Sequence, residues 1–418
     1  MSNEEKSHDV LVLGAGIVGV STALHLQAAG QSVVLVDRRE PGEEASHGNA
    51  GVIEKDGMIP LTIPSNPIEV AKYASNRQIH MHYHPTFMPR LAPWLFRMWL
   101  LSNDKGIDTY ARAIAPLRAV AADEHAHFAN EAGINEQFRA TGWIHLYHSA
   151  KSFASTEGAR RYAAEFGVDY EVVKQTDLEE LEPHMQFDKD DHAIFWKGCV
   201  SVSSPKTVTK AYAALYESRG GRFVKGDARS LKREGDAWVV TTEAGDVKAN
   251  KVVVSLGAWS LDLLKPMGYS FPLAAKRGYH QHFASKDGAF LNRPVVDEDV
   301  GFLMTPTEAG IRMTSGIEFA ARDTKKTPVQ IYRATEWARH LYPLGAPVED
   351  EPWMGFRPCF PDSLPLIDRA DNHPGLYFNF GHGHLGFATG PVTGRMMADM
   401  IMGRELSYDV KGFSAGRF

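Results

Sequence analysis

VLVLGAGIVGVSTALHLQAAGQSVVLVD, residues Val10 to Asp37, decides the fold. An apolar run ends in glycines, a helical stretch follows, and SVVLVD closes the unit, which reads strand, turn, helix, strand. Gly14, Gly16 and Gly19 form G-x-G-x-x-G at the strand-to-helix turn, with Ile17 and Val18 between the last two. The glycines permit, in order, a tight turn, backbone approach to a pyrophosphate, and close packing of helix on sheet. The phosphates then sit on the helix N-terminus. Asp37, followed by Arg38, ends the second strand where an acid grips a ribose. The unit predicts dinucleotide binding and does not by itself separate flavin from nicotinamide.

Outward from this unit, the chain does not continue with the next strand–helix unit expected of an ordinary nicotinamide dehydrogenase. It runs into Ala45-Ser-His-Gly-Asn-Ala-Gly51 and then a long segment rich in Pro, Trp and His. From Met58 to Phe187 the pattern is mostly helical, clearest at Ala111–Ala132 and Ser152–Phe166, with Gly142–His148 a strand. Ser204-Pro205 marks a helix start, the helix running to about Arg219. Short β-rich runs follow at Arg222–Ala228, Ala237–Thr242 and Lys251–Leu256, then a β-rich block from Phe271 to Phe319 and a helix over Val329–Leu341.

Composition narrows the class. The chain has 418 residues, 44% hydrophobic and 23% charged, which excludes disordered, collagenous and coiled-coil classes and leaves room for more than one domain. A net charge of −6 without a basic cluster argues against nucleic acid as a partner. Two cysteines, Cys199 and Cys359, fit a reducing compartment, and the acidic, polar first ten residues lack the order of a secretory signal. The expected location is the cytoplasm. The most apolar run, Leu91–Leu101 (LAPWLFRMWLL), is too short to span a membrane and contains Arg97. It reads as a buried helix, with a membrane-touching surface as the sharper alternative.

The C-terminal quarter is densest in chemistry. Gly355-Phe-Arg357-Pro358 leads to Pro361-Asp362, Leu376–Phe380 reads as a strand, and Gly381-His-Gly383-His-Leu-Gly386-Phe precedes a helix from about Pro391 to Met402. This second glycine-rich turn into a helix would favour negative charge beside it. Arg357 offers a planar guanidinium able to grip a carboxylate bidentately. His80, His82 and His84 alternate with metal-like spacing, but no acid or thiol pattern accompanies them, and no metal is expected. Cys359 is expected to be a packed thiol. His125 and His127 lie on different faces of a helix.

Taken together, VLGAGIVGVSTALHL, Ser46-x-x-Asn49-Ala50-Gly51, Val253-Val-Ser-Leu-Gly257-Ala-Trp259, G-x-R-P-x-x-P-D and GHGHLGF resemble the D-amino-acid oxidase superfamily of flavoenzymes over nearly the whole chain. The chain is most similar to the catalytic chains of bacterial D-amino-acid dehydrogenases. The fold this implies is α/β: a Rossmann-like FAD-binding domain with a second α+β substrate domain built on a mixed or antiparallel sheet. The expected division is 1–57, 188–265 and 345–418 for FAD, and 58–187 and 266–344 for substrate.

The resemblance further implies noncovalent FAD on Gly14, Gly16, Ile17, Val18, Gly19, Asp37 and Arg38. Ser46, His47, Asn49, Ala50 and Gly51 would lead along the phosphates toward the isoalloxazine ring. Ala228, Gly257, Trp259 and Gly355 would line the same site, and Gly383, His384, Leu385 and Gly386 the pyrimidine edge. Arg357 matches the substrate-carboxylate arginine of the family. His47, His382 and His384 are the titratable groups expected near the ring, with Arg277, Tyr279 and His280 as second-rank substrate contacts. The family's dehydrogenases carry a smaller residue where His384 stands, which points to a different side-chain pocket.

The reaction implied is oxidative deamination of a small amino acid, a D-amino acid by resemblance. Hydride leaves the α-carbon for flavin N5, and the imine hydrolyses to a 2-oxo acid and ammonia. Electrons would pass to a quinone or to oxygen, a quinone implying peripheral association with the inner membrane. Alternatives are secondary-amine oxidation of the sarcosine/glycine-oxidase or proline/opine type, and a catalytically silent flavin-bearing electron-transfer subunit.

Overall fold

The computed structural model describes residues 7–418. The opening unit forms as read: a strand at His8–Leu13, a helix at Ile17–Ala28 and a strand at Val33–Asp37. The two strands pair in parallel, with Val10 opposite Val33 and Leu13 opposite Val36. Val10 to Leu13 is buried throughout, because the strand is covered on both faces, which is why it reads as an unbroken apolar run. Val10 and Val12 enter the core beneath the helices, while Leu11 and Leu13 enter the core on the opposite face.

The parallel sheet extends both ways. Arg222–Lys225 lies beside Val33–Asp37, Gly245–Val254 beside His8–Leu13, and Leu376–Phe380 beside Gly245–Val254. Ala237–Thr242 pairs antiparallel with the first half of Gly245–Val254, and Leu366–Arg369 closes the far edge. The helices Ile17–Ala28, Asp104–Ala132, Pro205–Ser218 and Gly386–Met402 pack together on one face around a shared core. Pro205–Ser218 starts as its sequence predicts: the Ser204 hydroxyl accepts from Thr207 N–H and Pro205 fills the first helical position.

A second, mixed sheet of eleven strands centres on the long strand Ala274–Ser285. That strand pairs antiparallel with Trp353–Cys359 on one side and Gly310–Ser315 on the other. Beyond these lie Phe302–Thr307, Val295–Asp297, Trp143–Tyr147, His192–Trp196 and Tyr170–Val173. Three segments therefore depart from the expected division. His192–Trp196 and Trp353–Cys359 join the second sheet, and Asp104–Ala132, assigned by sequence to the substrate side, packs against the nucleotide helices. Strand partners and the surface a helix covers are long-range properties, invisible to local periodicity.

His148 ties three neighbouring strands of this sheet at one end. Its Nδ1 lies 2.7 Å from Asp191 Oδ1 and its Nε2 2.9 Å from Asp297 Oδ2. Hydrogen bonds first to Asp191 and then to Asp297 raise its pKa to about 10. A raised histidine contributes stability that is complete below its unfolded pKa, about 6.5, and is lost as pH climbs toward about 10. His148→Gln is expected to lower the melting temperature by several degrees at pH 6 to 7 and to lose that difference near pH 10, checked by thermal melts across that window.

The helix Met88–Leu101 is half buried rather than buried. Leu91, Trp94 and Met98 enter a small core, whereas Phe96, Trp99, Leu100 and Leu101 face out. Among the described residues no helix is long and apolar enough to cross a membrane.

Candidate active site

A single long cleft runs from the carboxyl end of the parallel sheet to the cleft-side face of the second sheet. At its first end, Gly14 adopts φ +109°, where a Cβ would strike the Ser255 carbonyl, and a Cβ on Gly19 would strike the Gly14 carbonyl. These two glycines therefore serve the turn and the helix–strand packing. Gly16 differs: its Cβ would meet only Ser46 Oγ, at 3.4 Å, so its backbone is open to the cleft. Ile17 N–H is capped by Ser46 Oγ at 2.9 Å, and Asp37 Oδ2 accepts from Ala15 N–H at 2.7 Å. Val18 and Ala228 border the same space, with Arg38 stacked 4.6 Å from the Trp259 ring. A dinucleotide's acid-seeking ribose, phosphates and flat base each meet a fitting surface here.

The middle of the cleft is held by two loops. Asn49 Oδ1 accepts from Gly51 N–H at 2.8 Å, while its Nδ2 reaches the His384 carbonyl at 3.5 Å, joining residues 46–51 to the turn 381–386. Ala50, Gly257, Gly355, Gly383 and Gly386 line this stretch. Gly51 and Leu385 support it from behind: Gly51 has φ +79° against the Val202 carbonyl, and Leu385 is buried in the helical core. Trp353 is wedged between Gly48 and Gly355, where either Cβ would overlap its ring, and stacks on His280 at 4.9 Å.

Arg357 closes the far end. Its guanidinium lies flat on Gly278, and a Cβ there would stand 2.5 Å from Nη1 and 2.6 Å from Cζ. Among the described residues its one hydrogen bond is a long one, 3.4 Å from Nη1 to the Gly316 carbonyl, and no carboxylate pairs with it. Burial pulls its pKa down. A cation in that state is a receptor for an anion. Gly278→Ala would push the guanidinium aside by the better part of an ångström, a misplacement that costs about 10²-fold in rate. The expected result is that fall in kcat/KM with flavin content unchanged, read from steady-state kinetics and the absorbance spectrum.

His384 lines the cleft near Arg357, its Nε2 3.7 Å from Glu54 Oε1. Burial, then the neighbouring cations Arg118, Arg357 and Lys276 against the opposing Glu54, lower its pKa to about 4. Half of its side chain still faces the cleft, so water there tempers the effect. The ring is neutral at pH 7. His382 is structural, buried with its Nε2 3.0 Å from Thr393 Oγ1 and its pKa held down to about 3 by burial.

Several expectations need correction. Arg277 and Tyr279 do not present their charged and hydroxyl groups to the cleft. Alternation on the strand sends both to the face opposite Gly278, where Arg277 Nε lies 2.9 Å from Glu318 Oε2 and Tyr279 Oη donates to the same carboxylate at 2.7 Å. Tyr279 touches the cleft wall only as part of its strand. His47 turns behind its loop, edge-on to His280 and Trp353, its pKa lowered to about 4 by burial and by Arg312. The acid missing beside the alternating histidines is Glu318, whose carboxylate lies within 4.8 Å of His82 and His84, while His80 turns to the Glu298 carbonyl. Arg277 already neutralises that carboxylate. Cys359 is buried, and His125 is buried against Tyr212 and Phe387 while His127 is exposed.

Sequence reasoning missed Gly278, Trp353, Glu54 and Lys276. Gly278 sits in the Lys-Arg-Gly-Tyr stretch that drew attention to Arg277, and Trp353 lies two residues before Gly355. Strand parity would have separated Arg277 from Lys276, given the face that carries Arg357.

The comparisons agree with this geometry. The chain is 28% identical over 427 residues to a D-amino-acid oxidase from Bradyrhizobium diazoefficiens, covering 98% of both chains. It is 29% identical to a D-amino acid dehydrogenase from Methylobacterium sp., covering 98% of this chain and 99% of that one. Among solved structures, glycine oxidase from Geobacillus kaustophilus superposes with a TM-score of 0.74 at 20% identity over 99% of each chain. L-proline dehydrogenase from P. horikoshii gives 0.76 at 18% identity, over 99% of this chain and 98% of that one. Residues 9–400 match the FAD dependent oxidoreductase family, and with a dinucleotide cleft on that fold the chain belongs to it.

Proposed function

We propose that this chain is an FAD-dependent amino-acid oxidoreductase acting on CH–NH2 groups, its substrate a small D-amino acid. The observation that carries the reading is Arg357, a guanidinium sunk at the end of a dinucleotide cleft with no carboxylate partner among the described residues. The names of the relatives, D-amino-acid oxidase and D-amino acid dehydrogenase, support it. FAD would lie along Gly14, Gly16 and Asp37 at one end and along Asn49, Gly383 and Gly386 at the other. When bound, it supplies an acceptor for the electron pair leaving the substrate α-carbon.

The protein's own groups do the rest. Arg357 grips the α-carboxylate, and Gly278 lets it lie flat enough to do so. His384, neutral at pH 7, borders the place of the substrate nitrogen, and a ring held uncharged beside Arg357 and Lys276 favours the amine entering in its neutral form. Trp353 forms a wall that excludes water. The division of the chain follows the two sheets. The outward Phe96, Trp99, Leu100 and Leu101 beside Arg97 suit a peripheral contact with the inner membrane from the cytoplasm, where a quinone would take the electrons.

Anaerobic absorbance titration with D-amino acids, L-amino acids, sarcosine and proline tests this reading. Bleaching of the flavin band by the D-amino acids supports it, and admitting air or a soluble quinone then identifies the acceptor. A flavin band that no amine bleaches overturns it.

A further inference from the structure

Lys276 stands directly across the strand pair from Arg357. Cross-strand partners project to the same face with Cβ atoms about 5 Å apart, so both cations rise from one sheet face, Arg357 on the cleft wall and Lys276 immediately behind it. Lys276 is 4% exposed. Its ammonium sits 4.7 Å from the centre of the Trp94 ring and 5.9 Å from that of Phe319, and among the described residues no carboxylate pairs with it. Stacking on rings offsets part of the cost of burying that charge, but much less than an anion would. His384, on the cleft wall, feels both Arg357 and Lys276. Elsewhere the molecule meets the usual rule for buried charge: Arg277 has Glu318, Arg118 has Glu54 and Arg293 has Glu182. Arg312, equally buried, is held instead by the His47 and Asn49 carbonyls within the field of Glu349 and Glu308. Among the described residues, Arg357 and Lys276 have neither an acid partner nor an acid's field, and they are neighbours at the substrate end.

We propose that Arg357 and Lys276 together form a dianion site, and that the preferred substrate is an amino acid carrying a second carboxylate on its side chain or its nitrogen. Arg357 takes the α-carboxylate and Lys276 the distal one. A neutral amino acid leaves Lys276 unanswered. This inference rests on the proposed amino-acid oxidation and refines its substrate class.

The test uses the flavin-loaded protein, with aspartate and glutamate of both hands and iminodiacetate set against alanine, norvaline and sarcosine. Wild type is expected to be reduced by a dicarboxylic compound at least about 30-fold more effectively, in kcat/KM, than by the neutral partner of similar length. Lys276→Met is expected to reduce that ratio at least tenfold, largely through KM, and Lys276→Arg to keep it. A binding readout without turnover accompanies it: succinate should perturb the flavin spectrum at lower concentration than butyrate, and Lys276→Met should remove the difference. Equal reduction of wild type by neutral and dicarboxylic compounds overturns the inference, whether or not the variant folds. So does a Lys276→Met protein that slows all substrates alike, since Lys276 would then act on the cofactor. Amino acids that bleach without this preference leave the proposed function standing, whereas no bleaching by any amine sinks that reading and leaves the succinate titration to decide the dianion site.

Discussion

Arg357→Met is expected to lower kcat/KM about 10³-fold for carboxylate substrates while leaving flavin content and melting temperature intact. Losing one partner of a desolvated, hydrogen-bonded charge pair costs about 2–5 kcal/mol, and 4 kcal/mol is close to a thousandfold in rate. The stability half of the expectation follows from the lack of a carboxylate partner among the described residues. Most buried arginines leave a carboxylate stranded when removed; Arg357 leaves none, and its single backbone hydrogen bond is long. Methionine fills similar volume against Gly278 without the desolvation cost. Steady-state kinetics, the visible spectrum and a thermal melt on one preparation check all three points. A variant that unfolds would mean that Arg357 is structural. One that turns over undiminished would remove it from substrate binding.

Gly16→Val is expected to give a folded, colourless protein. The three glycines of the turn look alike in sequence but meet different surroundings. A side chain on Gly14 or Gly19 would collide with backbone, so changes there disturb the fold. Gly16 has room for a Cβ, with Ser46 Oγ at 3.4 Å its nearest neighbour, so valine there leaves helix and sheet in place and fills the space a pyrophosphate needs. Displacing the phosphates from the helix N-terminus forfeits two or three charge-assisted hydrogen bonds of about 1.5–3 kcal/mol each, at least about 10²-fold in affinity for FAD. Reconstitution of apoprotein followed by flavin fluorescence measures the loss, and far-ultraviolet circular dichroism shows whether the fold survives. A yellow Gly16→Val protein would move the phosphates elsewhere.

The nucleotide half was the most legible part of the chain because its signals are local. The glycine turn, Asp37 and the Ser204-Pro205 helix start each declare themselves within a few residues. Val329–Leu341 and Leu376–Phe380 form over the residues their periodicity and β-rich character indicate. The substrate end was legible in composition and illegible in orientation. Lys276, Arg277, Gly278 and Tyr279 were all in view, and which pair faces the cleft depends on a strand partner, Trp353–Cys359, some 80 residues away. Asp104–Ala132 shows the same limit at larger scale, since an apolar stripe states that a helix is covered and not by what. His47 was read as a titratable group near the flavin ring within the 46–51 segment, and the loop's geometry turns it behind the wall.

The packing of Ile17–Ala28 against Gly386–Met402 bears on how the protein is made. Thr22 Oγ1 accepts from Asn379 Nδ2 across 357 residues, and the turn after Phe380 supplies one wall of the cleft that Gly16 opens. A chain emerging amino end first therefore exposes its glycine turn long before the opposing wall exists. During synthesis the nascent sheet lacks the strand Leu376–Phe380 and the helix that covers it, and must wait without its cofactor. Flavin capture is therefore expected to follow synthesis of the carboxyl-terminal turn, which makes the unloaded chain the species exposed to aggregation.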